Sequence, residues 1–398
     1  MKPKIKQIIE KSIELALSSS FIGLPNIFRT DKIFLRIMWI FLFLTSSGAT
    51  IYTIFKAVNN YLAYDKITNI YVFNQKQAEF PAVTFFILRN SKFNVSLNQI
   101  LKRCEFNSIP CGPNSFDKLQ DKHGYISFRS KNRIAFAPGS FFGFKVEMNL
   151  QNIPMDFDSR LNGVGGLRIM IHNISNDPGN YGGMPLTGFD LAPGFINEIK
   201  IKRTFTYKLG EPFNNCLKDV KSIDSFDSDL FRYMLQSTKY LYRQSDCFNY
   251  CMGRELYKSM NISNKIDHYS IVLNENPSKF DDYMKFYLNI LTNNNTTQFC
   301  GELECPEECD SVKYETTHTF TRRFDMTDND IFFNIFYPSL DYTVIDQIPK
   351  MDLYDFISNI GGNLSLFIGI SFLSLIEFIE LFIEIIVIIF NKNITFTL

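Results

Sequence analysis

The sequence predicts a membrane protein in which two transmembrane helices flank a large, disulfide-linked α+β extracellular domain. Three observations carry this reading: an apolar run near each end, a long mixed body between them, and eight cysteines confined to that body. Equal numbers of Lys+Arg and Asp+Glu, 41 each, give no net charge. That excludes a nucleic-acid binder, which needs surplus positive charge to neutralise phosphates. A hydrophobic share of 45%, with 41 phenylalanines, excludes a disordered chain.

Ile37 to Phe55 (IMWIFLFLTSSGATIYTIF) is 19 residues without a charge, and Ile360 to Ile376 (IGGNLSLFIGISFLSLI) is 17 more. Interrupted only by three glutamates, the second run continues to Phe390. About 20 apolar residues cross a bilayer's hydrocarbon core, so each run reads as a span. A mean hydropathy of -0.06 hides both inside an average.

The first 36 residues carry seven Lys/Arg (Lys2, Lys4, Lys6, Lys11, Arg29, Lys32, Arg36) against three acids. The positive-inside rule puts this end in the cytoplasm. The polar leader favours a retained signal anchor over a cleaved signal peptide, and a second span returns the chain to the cytoplasm. The expected division is a cytoplasmic segment 1–36, a first span 37–55, an extracellular body 56–352, a second membrane segment 353–390 and a cytoplasmic tail 391–398. The expected location is the plasma membrane, with the lipid bilayer as a partner.

All eight cysteines (Cys104, Cys111, Cys216, Cys247, Cys251, Cys300, Cys305, Cys309) lie between the spans. An even number in one compartment is the pattern of paired thiols in an oxidising environment. A zinc site competes, since Cys247/Cys251 and Cys305/Cys309 are each four apart, but an extracellular location favours disulfides. Triplets for N-glycosylation sit in the same body at Asn94, Asn173, Asn261, Asn294 and Asn295.

Within the body, Phe80–Leu88, Gly166–His172 and Phe195–Thr206 are β-rich runs bounded by Pro and Gly. Asp227–Tyr242 reads as a helix. Arg254–Met260 and Phe280–Leu291 have helical character, and Asn293–Thr297 is a polar loop. Asp341–Ile348 (DYTVIDQI) alternates again and feeds the second span.

That second segment holds the chemistry. Residues 360–390 would form a helix about 46 Å long at 1.5 Å per residue. The hydrocarbon core is roughly 30 Å thick, so the segment must tilt, break or protrude. Gly361-Gly362 and Gly369-Ile370-Ser371 mark two places for a break; close helix packing through small residues is the other reading of the same clusters. Glu377, Glu380 and Glu384 follow at i, i+3 and i+7 and share an arc of about 60°. Three carboxylates on one face are costly in lipid, so they face water or the cytoplasmic headgroups. A ring of such helices makes an acidic vestibule suited to cations.

In this order the motifs resemble those of the degenerin/epithelial sodium channel/acid-sensing ion channel superfamily, over nearly the whole chain. Phe80-Pro81-Ala82-Val83-Thr84 looks like the family's motif after the first span. Gly188–Phe195 (GFDLAPGF) and Tyr207–Cys216 (YKLGEPFNNC) look like its palm strands and the turn toward the membrane. Cys305–Tyr314 (CPEECDSVKY) is similar to the return from thumb to palm, and Gly361–Glu377 resembles the pore helix.

The resemblance implies a homo- or heterotrimeric, sodium-selective, amiloride-sensitive channel, with two further subunits and the sodium ion as partners. It implies a filter at Gly369, Ile370 and Ser371, a gate at Asn359 and Gly362, and a vestibule at Glu377, Glu380 and Glu384. It implies a cytoplasmic gating segment at Ile22 and Gly23, where Ile22 replaces the family's His. It implies a wrist contact between Tyr64 and Phe213, where Phe213 replaces a frequent Trp. The disulfides it implies are Cys216–Cys309, Cys247–Cys305 and Cys251–Cys300 as a nested ladder, with Cys104–Cys111 as a local pair. Phe86 replaces the family's cysteine after the first motif, its partner near Gly124 is also missing, and the finger region between Ser91 and Cys104 is short. The resemblance leaves the stimulus open among a peptide, a proton, a matrix ligand, mechanical force and constitutive opening.

Two other classes compete. A non-conducting adhesion or matrix-tethering protein needs neither small-residue breaks nor stacked glutamates in one span. An ectoenzyme needs a catalytic constellation, yet His123, His172, His268 and His318 are scattered and no nucleophile elbow or metal-binding pair is visible. No enzyme activity and no cofactor are expected.

Overall fold

The computed structural model describes residues 24–87, 95–120, 126–153, 166–176, 188–237, 240–259, 298–322, 325 and 327–369, and beyond them residues 371, 374, 376, 379–380, 382–383 and 386–387. In chain order the elements begin with helices α1 (Leu24–Arg29) and α2 (Ile33–Leu62) and strands β1 (Lys66–Phe73), β2 (Ala78–Phe80) and β3 (Ala82–Ile87). Helix α3 (Leu97–Ile100) leads into β4 (Leu101–Phe106), β5 (Ile109–Pro110), β6 (Phe116–Gln120), β7 (Ile126–Ser130), β8 (Arg133–Ala135) and β9 (Phe144–Asn149). Strands β10 (Leu167–His172), β11 (Phe189–Leu191), β12 (Phe195–Tyr207) and β13 (Cys216–Leu217) precede helices α4 (Asp229–Ser237) and α5 (Gln244–Ser259). Strands β14 (Glu307–Glu308), β15 (Asp310–Arg322), β16 (Asp330–Phe336) and β17 (Tyr342–Pro349) lead to helix α6 (Leu353–Ile368). The chain divides into two compact units, one of residues 68–348 and one of residues 1–67 with 349–398.

The larger unit is built on two sheets. The first has eight strands in the order β1-β17-β12-β16-β9-β4-β5, with β15 also paired to β12. Strand β12 organises it: β15 runs antiparallel along its whole length, while β16 and β17 share its other edge, parallel to its first and last thirds. The second sheet has the order β11-β10-β3-β7-β6. Period-two patterning explains the strands that face a core on one side: on β9, Phe144, Val146 and Met148 are buried while Lys145, Glu147 and Asn149 are half-buried. Strand β3 (AVTFFI) is buried at every position, as a strand covered on both faces must be.

One core joins the sheets. Phe85 of the second sheet lies 6.3 Å from Phe333 of the first, and Phe116 lies 5.7 Å from Phe144. Phe80, Phe106 and Phe128 extend the cluster. Most of these rings meet edge to face, the arrangement their quadrupoles favour.

A smaller second core lies under α4, α5 and the helical turn Phe299–Glu304. It consists of Leu230, Phe231, Met234, Tyr242, Met252 and four disulfide cysteines, Cys247, Cys251, Cys300 and Cys305. The helix expected over Asp227–Tyr242 is shorter here, ending at Ser237. Residues beyond it are drawn to other loops: Leu241 N–H donates to Ser175 O (2.8 Å) and the Tyr242 hydroxyl to Pro306 O (3.0 Å). Of the helical stretch expected at Arg254–Met260, the residues up to Ser259 belong to α5, which starts ten residues earlier, at Gln244; Met260 lies outside the described residues. The expected helix at Phe280–Leu291 and the loop Asn293–Thr297 lie outside the described residues.

The smaller unit contains α2 and α6. Helix α2 is 30 residues long, beyond both ends of the expected span 37–55, and is the one described helix long and apolar enough to cross a membrane. Only Thr50 and Ala57 on it are buried. Helix α6 packs beside it, with Tyr61 and Phe356 stacked at 4.5 Å. Lys350 fixes the entry to α6 by donating from its backbone N–H to Asp65 O and pairing its ammonium with the Asp65 carboxylate, both at 2.9 Å.

Candidate functional site

Helix α6 starts at a strong cap. Asp352 accepts from the Asp355 N–H at 2.7 Å, and the Asp355 carboxylate reaches back toward the Asp352 N–H. This reciprocal box satisfies donors that a helix start otherwise leaves open. The helix then runs through Asn359, Gly361 and Gly362 without interruption, so the first glycine pair is not a break. A Cβ added at Gly361 or Gly362 would meet no atom of the described residues within 4 Å. Among the described residues nothing requires glycine there. Asn359 is exposed on the same helix.

The break falls at Gly369. Its φ of 77° and ψ of 16° are left-handed, and its N–H closes the helix on Leu364 O and Ser365 O. Glycine takes this conformation freely; a side chain costs roughly 1–2 kcal/mol there. Two residues on, Ser371 N–H donates to Ser374 Oγ (3.2 Å), Ser374 N–H donates to Ser371 Oγ (3.3 Å), and the hydroxyls lie 3.2 Å apart. These bonds have the logic of an N-terminal cap, so the helix stops at one glycine and restarts at a serine pair. A helix end exposes backbone groups without internal partners, and in a bilayer such groups require protein or water beside them.

Glu380 is helical and exposed; Ile370, Glu377 and Glu384 lie outside the described residues, as do Ile22 and Gly23. Tyr64 lies two residues past the end of α2, with a positive φ of 50°, in the smaller unit. Phe213 is half-buried in a tight turn of the larger unit, its N–H on Gly210 O at 3.0 Å. All eight cysteines are paired as Cys104–Cys111, Cys216–Cys309, Cys247–Cys305 and Cys251–Cys300, the same connectivity that the resemblance implies. The zinc reading of those cysteines is set aside by these bonds. Asn173 lies in a turn where its Oδ1 accepts from Ser175 N–H at 3.0 Å; Asn94, Asn261, Asn294 and Asn295 lie outside the described residues.

Two buried polar centres escaped the sequence reading. His172 bonds Thr84 Oγ1 through Nε2 and Asn173 O through Nδ1, both at 2.8 Å. Burial pushes its pKa down to about 4, with the positive charges of Arg243 and Arg129 acting in the same direction. The imidazole is therefore neutral at physiological pH, and it gives Thr84 of the FPAVT run a structural role. Asp330 accepts from Lys102 Nζ (2.6 Å), Asn149 Nδ2 (2.6 Å), Thr327 Oγ1 (2.8 Å) and Thr327 N–H (3.0 Å). Burial opposes its charge, but these donors prevail and hold the carboxyl far below its usual range. Both centres join strands remote in sequence.

Taken together, these features describe a protein with a disulfide-stapled α+β body, a helix long and apolar enough to cross a membrane, and a second apolar helix interrupted by glycine. Residues 15–85 and 86–381 match the amiloride-sensitive sodium channel family. The chain belongs to that family, within the degenerin/epithelial sodium channel/acid-sensing ion channel superfamily. It is 22% identical over 452 residues to acid-sensing ion channel 1A of Danio rerio, covering 93% of this chain and 87% of that one. It is 20% identical over 454 residues to the bile acid-sensitive ion channel of Homo sapiens, with 92% and 84% covered. With the epithelial sodium channel subunit alpha of Homo sapiens it shares 22% over 328 residues, 74% of this chain but 46% of that one, so it spans about half the length of such subunits. A solved proton-activated chloride channel aligns over 88% of this chain at a TM-score of 0.38 and 9% identity, a likeness too loose to bear on fold or function.

Proposed function

We propose that the chain is a subunit of a sodium-selective, amiloride-sensitive cation channel of the plasma membrane. It assembles with two further subunits of the same or a related kind. Two spans, 37–55 and 353–390, hold both termini in the cytoplasm and the body 56–352 outside. The single observation that carries the reading is the interrupted helix: a left-handed Gly369 followed by the capped restart at Ser371. Irregular backbone at membrane depth is tolerated where it lines water or protein, and carbonyl and hydroxyl oxygens there can replace an ion's hydration shell.

In this reading Gly369, Ile370 and Ser371 select the ion. Glu377, Glu380 and Glu384 below them concentrate cations. Asn359 and Gly362 close the path. The open space around Gly362 within its own chain supports that role, since closely approaching helices from other subunits would need it. Ile22 with Gly23 sets gating from the cytoplasm, and Tyr64 and Phe213 couple the body to the first span. A peptide, proton, matrix ligand or mechanical stimulus opens the gate. The family membership and the relatives named above support conduction in general; the sodium preference rests on the filter reading.

Voltage-clamp recording from cells expressing the full chain tests this. A current whose reversal potential follows the sodium gradient and that amiloride blocks is the expected result. Absence of any sodium-dependent current under acid, pressure and peptide challenge, with surface expression demonstrated, contradicts it.

A further inference from the structure

Arg203 stands where the buried face of β12 approaches its end. Asn197, Ile199 and Ile201 are buried along that face, and Arg203 follows at 6% exposure. The register sets Tyr314 of β15 opposite it on one side and Tyr342 of β17 opposite it on the other. Opposed residues share a sheet face, so the row reads tyrosine, arginine, tyrosine. The guanidinium carbon lies 5.0 Å from the Phe205 ring centroid and 5.2 Å from that of Tyr342.

Among the described residues no carboxylate pairs with Arg203 and nothing accepts a hydrogen bond from its side chain; its Nε is shut off from solvent without a partner. Arg129 and Arg133 also have a shut-off Nε, but both side chains are only half-buried; the other two charged residues buried as deeply as Arg203 are answered. Asp246 is held by two Arg243 nitrogens at 2.7 and 2.8 Å, and Asp330 by four donors. Two aromatic rings offset only part of the cost of removing a guanidinium from water.

Nη1 and Nη2 are not shut off from solvent in this way, so they are the atoms a ligand can reach. Burial raises the Tyr314 pKa although the Arg203 charge works against this, so the phenol keeps its proton at neutral pH and remains a donor. A planar fork of N–H groups on one strand, with a tyrosine opposite it in register on the next, matches the charge and donor needs of a carboxylate. Glu79 is the built-in competitor: its charge is felt at Tyr314 and Tyr337, and Tyr337 donates to its backbone oxygen at 2.8 Å, yet its side chain does not pair with Arg203.

We infer that Arg203 and Tyr314 form a binding site for a small carboxylate anion on the β-sheet body. The site stands apart from the proposed filter and holds whether or not the chain conducts. The probe is sodium acetate, replacing sodium chloride at constant ionic strength, with thermal unfolding of the purified full chain as the readout. Acetate should raise the midpoint saturably, by about 2 °C at tenfold the half-saturating concentration. The rise should persist in Glu79→Gln and vanish in Arg203→Gln. Tyr314→Phe should weaken half-saturation roughly three- to tenfold, through one lost donor. No acetate-dependent shift in the unaltered chain, an undiminished shift in Arg203→Gln, or a shift seen only in Glu79→Gln overturns the inference; the last result makes Glu79 the partner of Arg203. Should Arg203→Gln not fold, Arg203→Lys and Tyr314→Phe decide, and unchanged half-saturation in both overturns it.

Discussion

Helix α2 and the C-terminal apolar segment are both rich in Ile, Leu and Phe, both carry hydroxyl residues, and both contain glycine, yet only one is interrupted. In α2 the polar side chains turn back onto the helix: Thr45 Oγ1 donates to Phe41 O (3.0 Å), Thr50 to Ser46 O (2.9 Å) and Thr53 to Thr50 O (3.0 Å). Gly48 sits among them inside a continuous helix. In the second segment Gly369 leaves the helical conformation, and the next hydroxyls, Ser371 and Ser374, bond N–H groups instead of carbonyls. A hydroxyl that accepts from N–H starts a helix, whereas one that donates to C=O decorates it. The difference teaches that glycine alone does not mark a break; glycine followed by a cap does.

Breaking the comparison at the glycines should have the largest effect. Gly369→Val forces a β-branched side chain into φ 77°, at a cost of roughly 1–2 kcal/mol or more in each subunit. Sodium current should fall at least tenfold, about 1.4 kcal/mol, at equal surface expression. Gly48→Ala, where a Cβ meets nothing within 4 Å, should leave current unchanged and favour the helix by about 0.5–1 kcal/mol. Equal losses from both would remove the distinction. Next in size is Gly362→Phe: an added Cβ there meets no described atom within 4 Å, so in the proposed assembly an effect points to contacts between subunits. Resting sodium current should rise, and an unchanged current at equal expression counts against the gate. The smallest effect is expected from Thr50→Val, which removes a hydroxyl bonded only within α2. A loss of about 1 kcal/mol or less with an unmoved reversal potential is the predicted outcome; a moved one would bring α2 into the ion path.

Parts of this contrast were legible in the residues. Alternation and β-rich runs announced Phe195–Thr206 and Asp341–Ile348, because local pattern sets a strand's buried face. The break was only half legible: two glycine clusters looked alike, and the continuous helix through Gly361-Gly362 reflects its distance from any restart cap. The end of α4 was misplaced because Leu241 and Tyr242 answer partners 66 and 64 positions away, Ser175 and Pro306. His172 with Thr84 and Asp330 with Lys102 were invisible for the same reason, their partners lying 88 and 228 positions apart. Arg203 looked like one more charge on an alternating strand; only the register beside Tyr314 and Tyr342 isolates it.

The central claim is that the interruption at Gly369–Ser371, and not the glutamates beyond it, chooses the ion. The reversal potential under bi-ionic sodium and potassium conditions tests this most directly, in Ser371→Cys, Ser371→Asp and Glu384→Gln. The account predicts a lowered sodium-to-potassium permeability ratio in both Ser371 variants, and in Glu384→Gln a smaller single-channel conductance with the reversal potential unmoved. A reversal potential that stays put in the Ser371 variants and shifts in Glu384→Gln contradicts it.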